Sequence, residues 1–451
     1  MQYICDFHIH SKYSRATSKE TNIENLNKWA RIKGVDVLGS GDFTHPLWLK
    51  ELKEKLIPAE KGLFRYKDKK IKNNHNGFLI NGNNHQPETR FILTTEISSI
   101  YSKGGKTRKI HNIIFAPNFE AVEKINTHLG WIGNLKSDGR PILGLDAKEL
   151  AKIVLNISED CLIIPAHAWT PWFSIFGSFS GFDSIEECFE EYTKYIYAIE
   201  TGLSSDPEMN WQLSKLDNIT LISNSDAHSP AKIGREANIF EGEKIDYNLI
   251  ANAIKRRSTQ IEPRQVGDTQ INAEKELRLV KTLEFFPEEG KYHWDGHRNC
   301  GIVFSPDESF KYNNVCPRCG KPLTIGVMNR VRQLADRQIG EKPINAIPFQ
   351  RLIPLEEIIA DVIGIGVGTK GVNEHYKNLI KVFGNEFKIL LEVRKEQIAS
   401  VSLPEIAEGI DKVRQGKISV SPGYDGEYGK ISIFGDNEER PKTIGSQETL
   451  F

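Results

Sequence analysis

A parallel α/β fold closed into a barrel is what the first 262 residues of this chain predict. Three observations lead there. Short apolar runs alternate with amphipathic helical stretches, the pattern of strand–helix–strand units around a parallel sheet. Seven or so such runs over this length suit a barrel better than an open sheet, and neither a G-x-G-x-x-G turn nor a P-loop is present. Almost every run ends in histidine, aspartate or glutamate, and the C-terminal ends of barrel strands converge on one face.

The first strand begins at Tyr3-Ile4-Cys5 and leads into Asp6-Phe7-His8-Ile9-His10. Two histidines one residue apart on a strand turn to the same side, a ready chelate for a transition metal. Thr21-Asn22-Ile23-Glu24 reads as a capping box, Leu26, Trp29 and Ala30 form one apolar helix face, and Gly34 ends that helix. Residues 35–38 are the second strand, followed by Gly39-Ser40-Gly41-Asp42-Phe43-Thr44-His45. Residues 60–90, polar and rich in Lys, Asn and Gly, predict a surface hairpin. Strands over 91–95 and 110–115 come next, bringing Glu96 and His111. Between them, residues 102–109 carry four cations and two glycines, a basic hairpin tip. Asp146 caps a helix whose box is completed by Glu149. Strands over 161–165, 196–199 and 220–223 lead to His167, Glu200, and Asp226 with His228.

Beyond the barrel, residues 263–290 predict a linker and a helix over 274–283, and 291–342 a small metal module. The chain is helical again from 351, with Pro354 at a helix start, a glycine-rich turn over 365–370, a helix over 404–414 and a terminal hairpin around Pro422-Gly423-Tyr424-Asp425-Gly426. The expected division is 1–262 barrel, 263–342 linker helix and metal module, 343–436 mainly helical region with its hairpin, and 437–451 polar tail.

At 451 residues the chain is too long for one ordinary domain. Its net charge of −1 excludes a generally basic surface, so contact with nucleic acid must come from local patches. No apolar run has the length of a membrane span, and the N-terminus lacks the marks of a signal peptide. A cytoplasmic, reducing location and no membrane partner are therefore expected, and the clustered cysteines point to metal rather than disulfides.

Two metal constellations follow. The first is His8, His10, Asp42, His45, Glu96, His111, His167, Asp226 and His228. These N and O ligands suit zinc, manganese or iron. The second is His297-x-x-Cys300 with Cys316-Pro-Arg-Cys319, two knuckles fifteen residues apart, which is the spacing of a closed tetrahedral structural zinc site. Residues 291–342 carry nine Lys/Arg against five Asp/Glu, and Arg330, Arg332 and Arg337 follow the second knuckle, a plausible grip on a DNA backbone.

His8-x-His10, Gly39-x-Gly-Asp42, Glu96, His111, His167 and Ser225-Asp226-Ala-His228 together resemble the ordered motifs of the PHP (polymerase and histidinol phosphatase) superfamily. The runs at 6–18, 41–46 and 167–174, the cysteine module and Pro-Gly-Tyr-Asp-Gly resemble the endonuclease Q family within it. The resemblance implies a distorted seven-stranded (β/α) barrel with two or three divalent metals (Zn, Mn, Mg or Fe) that hydrolyses phosphoesters. It makes Glu96 the bridging carboxylate, with Asp226 and His228 also catalytic. Unlike in many members, no further histidine follows His10 in the first motif. Endonuclease Q enzymes cut DNA 5′ to deaminated bases (uracil, hypoxanthine, xanthine) and abasic sites, so damaged DNA and a nucleoid-associated role in repair are implied. Trp169, Trp172 and Phe173 are candidates to line a pocket for a flipped base, and Lys103, Lys106, Arg108, Arg330 and Arg332 to touch DNA. Gln447, Leu450 and Phe451 resemble a terminal sliding-clamp-binding peptide. The other readings are a small-molecule phosphatase of the same superfamily and a non-catalytic DNA-binding adaptor.

Overall fold

A computed structural model describes residues 1–67, 88–255 and 276–434. Most of the expected 60–90 hairpin and the clamp-like peptide Gln447, Leu450 and Phe451 lie outside the described residues.

The centre is an eleven-stranded mixed sheet. Gln2–Asp6 runs parallel to Val37–Gly39, which runs parallel to Arg90–Lys103. The order then reverses. Arg90–Lys103 and Lys106–Ala116 form one long antiparallel hairpin, and the latter pairs antiparallel with Leu162–Pro165. The sequence predicts a parallel sheet, with a basic hairpin tip over 102–109. The two-residue turn at Gly104 and Gly105 (φ 61° and 72°) leaves no room for the crossover helix that parallel pairing needs. The parallel pair Ala198–Glu200 and Thr220–Ile222 is joined to the large sheet on both sides. Ala168 N donates to Glu200 O at 2.9 Å on one side, and Ile9 bridges Ala227 on the other.

Alternate residues along these strands fall into two cores. Phe91, Leu93, Ile114 and Ile163 pack outward with the surrounding helices. Ile92, Ile113, Phe115, Leu162 and Ile164 pack inward, where helix Tyr247–Lys255 adds Tyr247, Ile250, Ala251 and Ile254. Glu96 and His111 continue the inward rows, so the interior changes from apolar to ionisable toward one end. Gly39 is required by close approach: a Cβ there would sit 2.1 Å from the Phe7 carbonyl oxygen.

Local signals account for most helix ends. Helix Ile23–Lys33 is capped by Asn22, whose side chain accepts from Asn25 N, rather than by Thr21, and Gly34 ends it at φ 88°. Asp146 caps Ala147–Ile157 by accepting from Lys148 N. The helix expected over 274–283 is instead strand Arg278–Glu284 within its described part, pairing Ala237–Glu241 on one side and Phe349–Arg351 on the other. Edge pairing has overridden helix propensity there. Residues assigned to the linker thus extend the main sheet.

The C-terminal helices Leu355–Ile363, Lys370–Phe383, Glu386–Leu391 and Pro404–Arg414 have their own core of Ile358, Tyr376, Leu379, Ile389 and Ile410. Strands Ser419–Ser421 and Lys430–Ser432 form the expected terminal hairpin. A buried charge pair fastens this region to the first helix: Lys33 Nζ lies 2.6 Å from Glu386 Oε2, which also accepts from Tyr376 OH at 2.6 Å. Among the described residues, no helix is long and apolar enough to cross a membrane.

Behind the strand ends lie two further buried carboxyls. Glu284 Oε2 accepts from Thr201 Oγ1 at 2.9 Å and Ser223 Oγ at 3.1 Å, and Glu236 accepts from Phe285 N at 3.2 Å. Burial pushes Glu284 up to about 7, and burial together with the Glu284 charge raises Glu236. A carboxyl raised on folding stabilises the fold below its unfolded value and loses that contribution as pH rises through the folded one. Glu284→Gln stays neutral, so its melting temperature relative to the unchanged protein should increase between about pH 5 and about pH 8, as calorimetry would read. A difference that stays constant across that range would show that Glu284 is not protonated in the fold.

Candidate metal centre

Each strand end delivers its residue to one place. His8 and His10 stand just beyond Gln2–Asp6, Asp42 in the turn after Val37–Gly39, and Glu96 and His111 on the long hairpin. His167 follows Leu162–Pro165, Glu200 ends its strand, and Asp226 and His228 follow Thr220–Ile222.

Glu96 is the hinge of the arrangement. Its Oε2 lies 3.5 Å from His8 Nε2 and 3.2 Å from His10 Nε2. Its Oε1 lies 2.7 Å from His111 Nδ1 and 3.1 Å from His167 Nε2. Asp226 Oδ1 is 3.1 Å from His10 Nε2 and 3.6 Å from His8 Nε2. Two ligand groups result, His8/His10/Asp226 and Glu96/His111/His167, each with its candidate ligand atoms within 4.8 Å of one another.

Whether cations fit can be read from the donor atoms. His8 Nε2, His10 Nε2 and Asp226 Oδ1 are buried and none makes a hydrogen bond, although they face one another at short range. Lone pairs converging on a point without a proton between them are costly unless a cation sits there. The charge balance likewise calls for positive charge, as protons or as metal ions. Asp42, Glu96 and Glu200 are almost wholly buried and Asp226 is partly so. Burial opposes ionisation of Glu96, yet His111 and Arg140 hold its carboxyl well below the usual range. Burial likewise opposes charging of His8 and His10, but the carboxylates around them, Glu200 foremost for His8 and Asp42 for His10, hold both well above the ordinary histidine value. Burial pulls His111 down to about 4, ready to ligate as a neutral imidazole.

The far nitrogen of each ring is fixed from behind. His8 Nδ1 lies 3.1 Å from both Glu200 oxygens, and Glu200 also accepts from His167 N at 2.8 Å and Asn224 Nδ2 at 2.9 Å. His10 Nδ1 lies 3.0 Å from Asp42 Oδ1, while Asp42 Oδ2 accepts from Ser11 N at 2.6 Å and Ser14 Oγ at 2.9 Å. His111 Nε2 meets Ser98 Oγ at 3.1 Å and His167 Nδ1 meets Thr170 Oγ1 at 3.0 Å. Such partners set the tautomer and aim the ligand atom. Asp42, His167 and Asp226 hold left-handed backbone (φ 46°, 30° and 46°), a strain that sites of this kind store.

Three of the expected ligands lie outside both groups. Asp42 backs His10 instead of joining either group. His45 stands apart, at the N-cap of helix Pro46–Lys55 with its ring stacked on Tyr13 at 4.3 Å. His228 lies at the mouth, its ring 4.6 Å from that of His10 and its Nδ1 donating to Asp226 O at 2.8 Å. Two further residues join the site. Glu200 was visible only as an acid at a strand end, and Arg140, whose Nη1 is 3.1 Å from Glu96 Oε2, left no periodic signal.

Trp169 does not line the opening: it is buried and its indole N–H donates to Asn210 Oδ1 at 2.8 Å. Phe173 packs on His111 at 4.8 Å. Trp172, 39% exposed, stacks parallel on Phe179 at 4.5 Å and meets Tyr292 edge-on at 5.5 Å. Of the candidate cations, several are occupied within the chain. Lys103 pairs with Glu190 at 2.7 Å, Arg108 bonds the Gly181 carbonyl, and Arg330 donates to Phe176 O at 3.0 Å and Phe182 O at 3.1 Å. Lys106 is exposed, and Arg332 lies 3.9 Å from Asp307.

The second constellation assembles as spaced. His297, Cys300, Cys316 and Cys319 place four ligand atoms within 4.8 Å of one another. His297 ends one strand of a short hairpin and Cys300 lies in the turn after it.

Residues 354–417 match the family model described as the MJ0043 C-terminal domain. Uncharacterized protein MJ0043 of Methanocaldococcus jannaschii is 32% identical over 371 residues, which is 79% of this chain but 44% of that relative, so this chain spans less than half its length. The crystal structure of the lesion-specific endonuclease PfuEndoQ from Pyrococcus furiosus is similar at 31% identity and TM-score 0.78, covering 96% of this chain and 95% of that one. A crystal structure of Endonuclease Q with a 27-mer duplex carrying an abasic lesion at its active site also matches at 31% identity and TM-score 0.78, covering 99% and 100%.

Removing a partner that aims a ligand weakens a metal site. Glu200→Gln should lower affinity for Mn²⁺ or Zn²⁺ by about 10- to 100-fold, read by competition with a calibrated chelator. Unchanged affinity would mean that His8 is not a ligand.

Proposed function

The chain belongs to the endonuclease Q family, and we propose that it is a metal-dependent endonuclease that hydrolyses the phosphodiester 5′ to deaminated bases (uracil, hypoxanthine, xanthine) and abasic sites in DNA. The carrying observation is Glu96, with one oxygen toward His8 and His10 and the other toward His111 and His167. That is the geometry of a carboxylate shared by two cations. The fold reads as the distorted seven-stranded barrel of the superfamily, ringed by the strands that carry the site.

His8, His10 and Asp226 would hold one divalent ion and Glu96, His111 and His167 a second, with His228 completing a shell at the mouth. Bound there, divalent metals supply a hydroxide-like water and offset phosphoryl charge. The chain does the rest. Glu200 and Asp42 keep the imidazoles aimed, the inward apolar core limits water to the open end, and the strained turns fix Asp226 and His167. His297, Cys300, Cys316 and Cys319 would hold one structural zinc. The Trp172–Phe179 stack offers a π-face beside the opening, suited to an unstacked base.

A phosphatase for small monoesters would need neither this aromatic ledge nor a metal module tied to the loop after His167 through Arg330. A non-catalytic adaptor would not retain buried ligand atoms without hydrogen bonds, since each costs stability.

A 5′-labelled duplex with one uracil, hypoxanthine or abasic site should be nicked once, 5′ to the lesion, in Mn²⁺ or Mg²⁺, and Asp226→Ala should abolish the nick. Release of phosphate from a small monoester with no nicking would overturn the reading in favour of the phosphatase. Removing the zinc with a chelator should lower the melting temperature, because ligand binding and folding are coupled at such knuckles.

A further inference from the structure

We infer that Arg140 grips the scissile phosphate, its guanidinium completing a charge cluster that is otherwise made of metal ligands; this rests on the endonuclease reading only in taking that phosphate to be a DNA diester.

Residues 138–141 lie in neither helix nor strand, yet they are pinned on every side. Gly139 N donates to Tyr13 O at 3.0 Å, Ser98 N donates to Pro141 O at 3.1 Å, and Thr44 Oγ1 donates to Gly139 O at 3.3 Å. Asp138 Oδ1 accepts from Arg140 N at 3.1 Å. The loop rests directly on the back of the site: a Cβ at Gly139 would lie 2.2 Å from Asp42 Oδ2 and 2.4 Å from Ser14 Oγ. Only glycine lets the chain pass there, and the next residue is delivered into the metal centre.

Arg140 Nη1 is 3.1 Å from Glu96 Oε2, the same oxygen that lies 3.2 Å from His10 Nε2. Among the described residues its side chain hydrogen-bonds Glu96 alone, so most of the guanidinium fork remains to donate. The side chain is 25% exposed, enough to meet a ligand entering from the open end.

A cation beside two divalent metals is repelled by them unless an anion lies between. With metals on both ligand groups the charge of Glu96 would be shared with them, and its hold on the arginine would weaken. A non-bridging phosphate oxygen supplies the missing anion, and the planar fork matches two such oxygens at once. Charge growing on those oxygens in the transition state would be met by donors already in place.

The test uses the metal-loaded full chain with Arg140→Ala and Arg140→Lys. Arg140→Ala should keep its metal content by elemental analysis, nick lesion DNA about 10²-fold more slowly or worse, and bind inorganic phosphate more weakly by calorimetry. Free guanidinium ion should restore part of the rate to Arg140→Ala, and Arg140→Lys should remain impaired because it lacks the fork. Unchanged phosphate affinity in Arg140→Ala would overturn the inference. So would loss of metal in Arg140→Ala reversed by Arg140→Lys, which would make the arginine a counterion for Glu96. If the unchanged protein fails to nick any lesion, the endonuclease reading falls, and the phosphate titration still decides the role of Arg140.

Discussion

Everything at the open end of this sheet answers to one constraint: several carboxylates share a space largely closed to water. Ionised acids in such a place must be paired, protonated or bound to metal. Lys or Arg could pair them, but among the described residues the one ion pair from Lys or Arg to Asp42, Glu96, Glu200 or Asp226 is that of Arg140 with Glu96. The remaining charge falls to histidine protons or to divalent ions. The Nε2 atoms of His8 and His10 face Glu96 and Asp226 and are where divalent ions would sit.

The constraint reaches outward through the fold. Glu200 and Asp42 lie behind the ligands and tie three strand ends to one another through His8, His10 and His167. The left-handed turns at Asp42, His167 and Asp226 follow, because each must point a side chain back over the strand it has just left. Rigidity here comes from the surrounding bonds, and it is what allows the turns to persist. The inward core of Ile92, Ile113, Phe115 and Ile164 below supplies an apolar floor.

Much of this was legible from the chain. His8-x-His10 and Asp226-x-His228 are contiguous pairs at strand ends, and alternation alone places Glu96 and His111 on the face of their inward apolar neighbours. The cysteine knuckles needed only spacing. What could not be read was set by tertiary packing. Asp42 and His45 belong to one short turn, yet only the packed site shows that the first lies behind His10 and the second stacks on Tyr13. Arg140 sits in a loop held by contacts to Tyr13, Thr44 and Ser98, each remote in sequence. Lys103, Arg108 and Arg330 show charge in the sequence but hide their acceptors, which include the backbone carbonyls of Cys188, Gly181, Phe176 and Phe182. The segment over 274–283 has residues that favour a helix in isolation, and a vacant sheet edge decided otherwise.

Arg330 carries a broader consequence. From the helix that follows the second knuckle it reaches the carbonyls of Phe176 and Phe182, the loop that bears Trp172 and Phe179. Strand Arg278–Glu284 meanwhile completes the main sheet from the far side of the 262 boundary. The two metal-binding units are therefore not exchangeable parts. Recombination that swapped the cysteine module for another would withdraw Arg330 from the Phe176 and Phe182 carbonyls and so unfasten the loop that bears Trp172 and Phe179.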